Sequence, residues 1–527
     1  MSHYQTLLTR AREIATLKSV SALTQWDHET YMPPAGADNR AEQEAILASL
    51  VHERATSKQM GDLIAACEAD RSLLSDPIVA PNMREFRRDY DLATKLPTDL
   101  VEEWARTSAL ATETWKKARV ASDFKAFEPA LTKMIALARR KAECYGWPSG
   151  GEPYDALLNE YEPGATAKQI DAIFTPLRAR LSTLIQTIAA KGKPPSDAPL
   201  NASVPEDRQH KLGTRVLKAL CFDLDAGRLD VTTHPFCSGI APGDTRLTTR
   251  YRGERFTDAL YGTMHECGHG LYEQGLPKLA RASVGKGVSH PARFGEPAAD
   301  AVSLGIHESQ SRMWENFVGR SPEFWHWLKP MADEEFGGAL SKFSADDLYR
   351  AANTARPSFI RVEADEATYN LHIMLRFSIE RALLSGDLEA RDVPAAWNAA
   401  FKDMLGLTPP DDRRGCLQDI HWSAGLIGYF PTYCLGNLYA AQLWETINTA
   451  GKAPGAADDV PAGIPDLKAQ IARGEFGPLR EWLRAAIHQH GRRYLAADLC
   501  QRITGKPLSA DPLLRHLESR LKPVYGL

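Results

Sequence analysis

The chain of 527 residues has no uninterrupted apolar run of about 18 residues, the length that a bilayer-crossing helix needs. A membrane-embedded protein is therefore not expected. Neither sign of charge is in excess, since 63 Lys and Arg stand against 67 Asp and Glu for a formal net charge of −4. Nucleic acid and anionic membranes call for basic surfaces, and this balance suggests neither partner. The eight cysteines, at positions 67, 144, 221, 237, 267, 416, 434 and 500, form no CxxC pair and no dense cluster. That argues against a disulfide framework or zinc knuckle and favours a reducing compartment. Arg10, Arg12 and Glu13 fall where a secretory signal needs an apolar core, so a cytoplasmic protein is expected. No internal repeat or long low-complexity tract is visible.

What is present is an ordinary globular composition, 43% hydrophobic and 25% charged, patterned mostly for helix. Length alone would allow three or four domains at about 150 residues each. The pattern is instead read as one helical body over 1–527, with a helical half over about 1–200 and a site-bearing half over about 201–527. Leu7, Ile14, Leu17, Val20 and Leu23 recur at helical intervals, and Asn39 with Glu42 resembles a capping box. Breaks are expected at Pro33-Pro34, Pro77, Pro81, Pro97, residues 146–153 and Pro194-Pro195. Between Leu229 and Arg252, Val, Thr and Tyr alternate with polar residues around a turn at 239–243, which predicts one small sheet built as a hairpin. A Gly-, Pro- and Ala-rich stretch near 450–466 reads as a surface loop.

The strongest chemical signal is His265-Glu266-Cys267-Gly268-His269, an HExxH pattern. On a helix, His265 and His269 lie one turn apart on one face, so both imidazoles can reach one Zn²⁺ while Glu266 sits beside the open position. Such a carboxylate can act as general base toward water that the metal has acidified, the chemistry of amide hydrolysis. Asp258 is placed to cap this helix and Gly275 to end it, with Leu260, Met264 and Leu271 supplying apolar contacts. Cys267 should face the core, and Trp325 and Trp327 should pack on a neighbouring helix or a partner.

A third protein ligand is required. The metzincin arrangement is excluded, because it needs Gly at Tyr272 and His at Gly275. Downstream candidates are His290, Glu296, Asp300, His307, Glu308 and Glu315. Val302, Leu304, Ile306 and Met313 mark a packed helix around Glu308, the preferred ligand, with His307 the runner-up. The residues alone do not separate these two.

Six motifs in order resemble those of the carboxypeptidase Taq (M32) peptidase family. They are His234-Pro235-Phe236, the DxRxT of Asp244 to Thr248, HExxH itself, His307-Glu308-Ser309-Gln310, the IRxxAD of Ile360 to Asp365, and the GxxQDxHW of Gly415 to Trp422. The resemblance implies a mostly α fold, a large helical body with a deep active-site groove and one small β-sheet at its wall. It also implies homodimers, a zinc site completed by Glu308 in which cobalt can substitute, and release of single residues from peptides with a free C-terminus.

An exopeptidase needs a cation to hold the terminal carboxylate, and a guanidinium does so with a bidentate fork. The resemblance points to Arg361, with Arg413 and Arg414 as helpers unless Asp411 and Asp412 occupy them. Similarity to other helical zinc peptidases points to His421 with Tyr429 for the oxyanion. Tyr433 is a further candidate contact that could equally be core, and His234 is either a substrate contact or a structural anchor. Asp365 and Asp419 are candidates for orienting the ligand imidazoles. Residues 276–296 are expected to form a loop over the cleft or at its rim. The competing readings are an endo-acting zinc oligopeptidase and a non-catalytic helical peptide-binding protein with a structural metal, which would show a fourth ligand and no Glu266.

Overall fold

The computed structural model describes residues 2–279, 281–282, 289–290 and 292–527, with backbone alone for 281–282 and 289–290. Helices His3–Thr30 and Ala37–Ala55 open the chain. With Lys58–Glu68 and Val79–Thr94 they enclose a small core of their own, containing Leu7, Ile14, Met60, Ile64, Met83 and Phe86. The helical spacing of the first segment is borne out, but Val20 and Leu23 are 43% and 39% exposed, so its apolar stripe is only partly covered. Asn39 is not a cap. The helix begins at Ala37 behind a Pro34–Gly36 turn, and Asn39 Oδ1 accepts from Gln43 Nε2 within it. Pro81 does not break its segment either, because it falls in the first turn of Val79–Thr94, where N–H groups have no intrahelical partner.

The expected sheet is present and larger by one strand. Strands β1 (Gly227–Val231), β2 (Cys237–Ala241) and β3 (Asp244–Thr249) lie in the order β1-β3-β2. β2 and β3 form the predicted antiparallel hairpin around Gly243, whose φ of +82° a side-chain-bearing residue would resist. β1 joins parallel to β3, which the alternation could not reveal. The crossover from β1 to β2 carries His234-Pro235-Phe236, fastened because the Thr248 hydroxyl accepts from Phe236 N–H at 2.7 Å and donates to Phe236 O at 2.9 Å. The first helix reaches over this sheet: Arg246 stacks on Trp26 with Cζ 4.2 Å from the ring centre, and Tyr31 donates to Asp230 at 2.6 Å.

The main core is built from helices Phe256–Gly275, Leu304–Arg312, Thr368–Ser385 and Pro431–Ile447, all strongly buried. Leu304–Arg312 continues as a π-helical turn over Met313–Val318. Cys267 is fully buried in this core, and Trp327 packs on Phe324 and Phe476, both within the same chain. The 450–466 stretch separates the helix ending at Ile447 from one starting at Leu467. Residues 281–282 pair antiparallel with 289–290. The expectation of a loop over or beside the cleft falls largely on residues outside those described. Among the described residues, no helix is long and apolar enough to cross a membrane.

Candidate active site

The site begins with two close helix approaches, each permitted by a glycine. On helix Phe256–Gly275, a Cβ at Gly268 would fall 2.5 Å from both Gln310 O and Ser311 Cα, so only glycine lets the Leu304–Arg312 helix come this near. On helix Pro431–Ile447, a Cβ at Gly436 would fall 2.5 Å from Glu308 Cγ. Glu308 is thereby held between two backbones and turned toward the histidines. Its Oε2 lies 3.7 Å from His265 Nε2 and 3.5 Å from His269 Nε2, and one donor atom from each residue lies within 4.8 Å of the others. Asp258 does not cap the His265 helix but sits in its first turn, facing Arg252 at 3.5 Å; the helix does end at Gly275.

Two imidazoles and one carboxylate from adjacent helices are the donor set of a catalytic zinc site, in which a fourth position stays open. The residues therefore fit the metal that the motif implies. Other sequence candidates are engaged elsewhere. Glu296 pairs with Arg293 and Asp300 with Lys278, while the His290 side chain lies outside the described residues. His307 is no ligand, because its Nδ1 sits 2.6 Å from His269 Nδ1, on the side away from Glu308.

A ring of charge surrounds these three candidate ligands. Burial opposes ionisation of Glu308, but Arg312, at 2.7 Å from Oε1, together with the two histidines holds it well below the usual carboxylate range. Glu315, from the π-helical turn, meets His265 Nδ1 at 2.9 Å and Arg312 Nη1 at 3.0 Å. The groups in contact with the two imidazoles are thus Glu315 and His307, whereas Asp365 and Asp419 are bonded elsewhere. Asp365 caps helix Thr368–Ser385 by accepting from the N–H groups of Ala367 and Thr368. Asp419 is committed to Arg361 and Arg376. Glu266 is 6% exposed, and burial, offset by His265, pushes its carboxyl up to about 7.

A second cluster gathers Arg361, His421, Tyr429 and Tyr433. Arg361 is 6% exposed, with Nε and Nη2 donating to Asp419 Oδ1 at 3.0 and 2.8 Å and Nη1 donating to the Tyr369 hydroxyl at 3.1 Å. Tyr433 lies beneath the guanidinium at 5.3 Å, 5.3 Å from Tyr429, which in turn is 5.5 Å from His421. Arg312 joins this wall to the candidate ligands, since it stacks on Tyr369 at 4.8 Å while bonding Glu308. Burial, aided by Arg361 and Arg376 against Asp419, takes His421 down to about 4, so it is a neutral imidazole near pH 7. Arg414 is turned to Asp411 at 2.6 Å on the surface, the local pairing that the sequence left open. His234 is exposed in the β1–β2 crossover.

Sequence reasoning did not single out Tyr369, Glu380 or Gly436. The Glu380 carboxylate accepts from Trp422 Nε1 (2.9 Å), Gly428 N–H (3.1 Å) and the Tyr154 hydroxyl (2.8 Å), tying down the neighbours of both His421 and Tyr429. Glu315 was readable as a candidate ligand but not as the partner of His265 Nδ1, although it lies two helical turns after Glu308.

Residues 6–521 match the family described as carboxypeptidase Taq (M32) metallopeptidase. The chain is 43% identical over 532 residues to thermostable carboxypeptidase 1 of Thermus thermophilus, covering 99% of each chain, and 36% identical to carboxypeptidase 1 of Bacillus subtilis, covering 98% and 97%. The crystal structure of the M32 carboxypeptidase from Deinococcus radiodurans superposes with a TM-score of 0.92 at 37% identity over 100% of both chains. Metallocarboxypeptidase 1 of Trypanosoma cruzi superposes at 0.89 with 34% identity, covering 98% and 99%. The chain belongs to the carboxypeptidase Taq (M32) family and is a metal-dependent carboxypeptidase acting on peptides.

Proposed function

We propose that the metal is zinc, replaceable by cobalt, held by His265, His269 and Glu308, and that the enzyme releases single C-terminal residues with broad side-chain tolerance. The observation that carries this reading is the convergence of those three side chains beside a buried Glu266. Zinc bound there would polarise the scissile carbonyl and acidify a water molecule. Glu266, buried and adjacent in sequence to one ligand, takes the proton of the attacking water and passes it to the leaving amine.

Arg361 holds the substrate's terminal carboxylate. Of its five N–H groups, Asp419 takes two and Tyr369 one, which leaves one on each of Nη1 and Nη2 for a bidentate contact. Asp419 and Tyr369 fix the plane of that fork. Tyr429 and the neutral His421 donate to the developing oxyanion, and Tyr433 backs Arg361. The free cysteines and the family resemblance support a cytoplasmic homodimer.

The test is Glu266→Gln. Hydrolysis of an unblocked peptide should fall by at least about 100-fold, the usual scale of general-base catalysis, while metal content and fold persist. Undiminished hydrolysis would remove Glu266 from the mechanism.

A further inference from the structure

The two histidines of the metal site are oriented in different ways. His265 has a carboxylate directly behind it, with Glu315 Oε2 2.9 Å from Nδ1. Behind His269 stands a second imidazole, His307, at 2.6 Å from Nδ1 to Nδ1, and only behind that a carboxylate, Glu273 Oε1, 3.1 Å from His307 Nε2. Glu273 is itself anchored by Lys278 at 3.0 Å, which also reaches Asp300 at 3.3 Å. Glycine at 239 in β2 leaves room for this carboxylate, because a Cβ there would overlap it.

Only one proton arrangement satisfies this chain. His269 Nε2 faces Glu308 and must offer a lone pair to a metal, so its proton sits on Nδ1. His307 Nδ1 must then accept, which places its own proton on Nε2, directed at Glu273. Lys278 closes the series with positive charge. We infer that His307 and Glu273 are positioning residues that fix the tautomer and orientation of His269 through a two-step relay, and that they set the protein's grip on its metal. The inference rests on the metal-site reading proposed above. Glu273 is four residues after His269 on the same helix, so the relay's two ends share one helical face.

The experiment measures the dissociation constant for Zn²⁺ by competition with a chromophoric chelator, using the full chain. His307→Phe, Glu273→Gln and the ligand variant His269→Ala are compared with wild type, and the melting temperature of each metal-free protein is recorded. Loss of outer-shell partners typically costs about 10- to 100-fold in metal affinity. His307→Phe should fall in that range. Glu273→Gln keeps an acceptor but loses the charge, so its loss should be smaller yet measurable, with peptide KM unchanged in both. Glu273→Gln preserves side-chain volume and carries the test if His307→Phe does not fold. Wild-type Zn²⁺ affinity in both variants, with affinity lost in His269→Ala, would overturn the relay alone. So would a lowered metal-free melting temperature with unchanged affinity, which marks mere packing. Wild-type affinity in His269→Ala would overturn the site reading beneath it.

Discussion

Gly436 backs onto Glu308, and a Cβ at 436 would fall 2.5 Å from the glutamate's Cγ and 2.6 Å from its Cβ. The proposed third ligand is thus aimed by the absence of a side chain on a helix about 130 positions downstream. Gly436→Ala should displace Glu308 and weaken Zn²⁺ binding, with an overpacking cost of ~1–3 kcal/mol in unfolding free energy. Chelator competition and urea unfolding check both parts. An alanine variant with wild-type metal affinity and stability would show that the helices separate without disturbing the ligand.

The fork geometry of Arg361 makes a prediction about substrate ends. Arg361→Met removes the charge while keeping much of the stem's apolar volume, and should cut kcat/KM on unblocked peptides by about 10- to 150-fold, the scale of a lost charge-assisted contact of ~1.5–3 kcal/mol. Peptides amidated at the C-terminus should be poor substrates of the wild-type enzyme and nearly indifferent to the substitution. Efficient internal cleavage of amidated peptides, with mass spectrometry showing products longer than one residue, would favour the endo-acting reading.

Glu380 predicts a pH dependence of stability. Burial, only partly offset by its three donors, raises its carboxyl from the ordinary 4.5 to about 7. The folded state therefore holds a proton that the unfolded state releases between those values. The associated stabilisation is complete below about pH 4.5 and is lost as pH rises through about 7. Glu380→Gln abolishes this titration, and its NH₂ must face one of three donors, Trp422 Nε1, Gly428 N–H or the Tyr154 hydroxyl. The variant should be less stable by ~1–3 kcal/mol at pH 5, and the gap should narrow by pH 8. Urea unfolding at both pH values decides it, with a gap that widens toward pH 8 as the contradicting result.

Much of this was legible in the sequence because it is local or periodic. The HExxH spacing defines one helical face, and the β2–β3 hairpin follows from alternation about a turn; the helix around Glu308 was also legible, although Leu304, expected in its packed face, is exposed and that face buries mostly polar side chains. What escaped depends on pairings far apart in the chain. β1 joins β3 in parallel through a crossover whose geometry leaves no periodic trace. Asp365 and Asp419 had the right chemistry to orient histidines, but one is drawn to a helix end and the other to two arginines. Val20 and Leu23 continue a helical repeat that the fold leaves half uncovered. Glu380 and Gly436 carry no motif of their own, and their roles appear only once loops and helices from distant segments are brought against them.

The most direct test of the central claim is anomalous diffraction at the zinc edge from crystals of the purified enzyme. The account predicts one strong peak per chain, within bonding distance of His265 Nε2, His269 Nε2 and a Glu308 carboxylate oxygen, with a position left open toward Glu266. A peak that excludes Glu308, or one enclosed by four protein ligands, would contradict it.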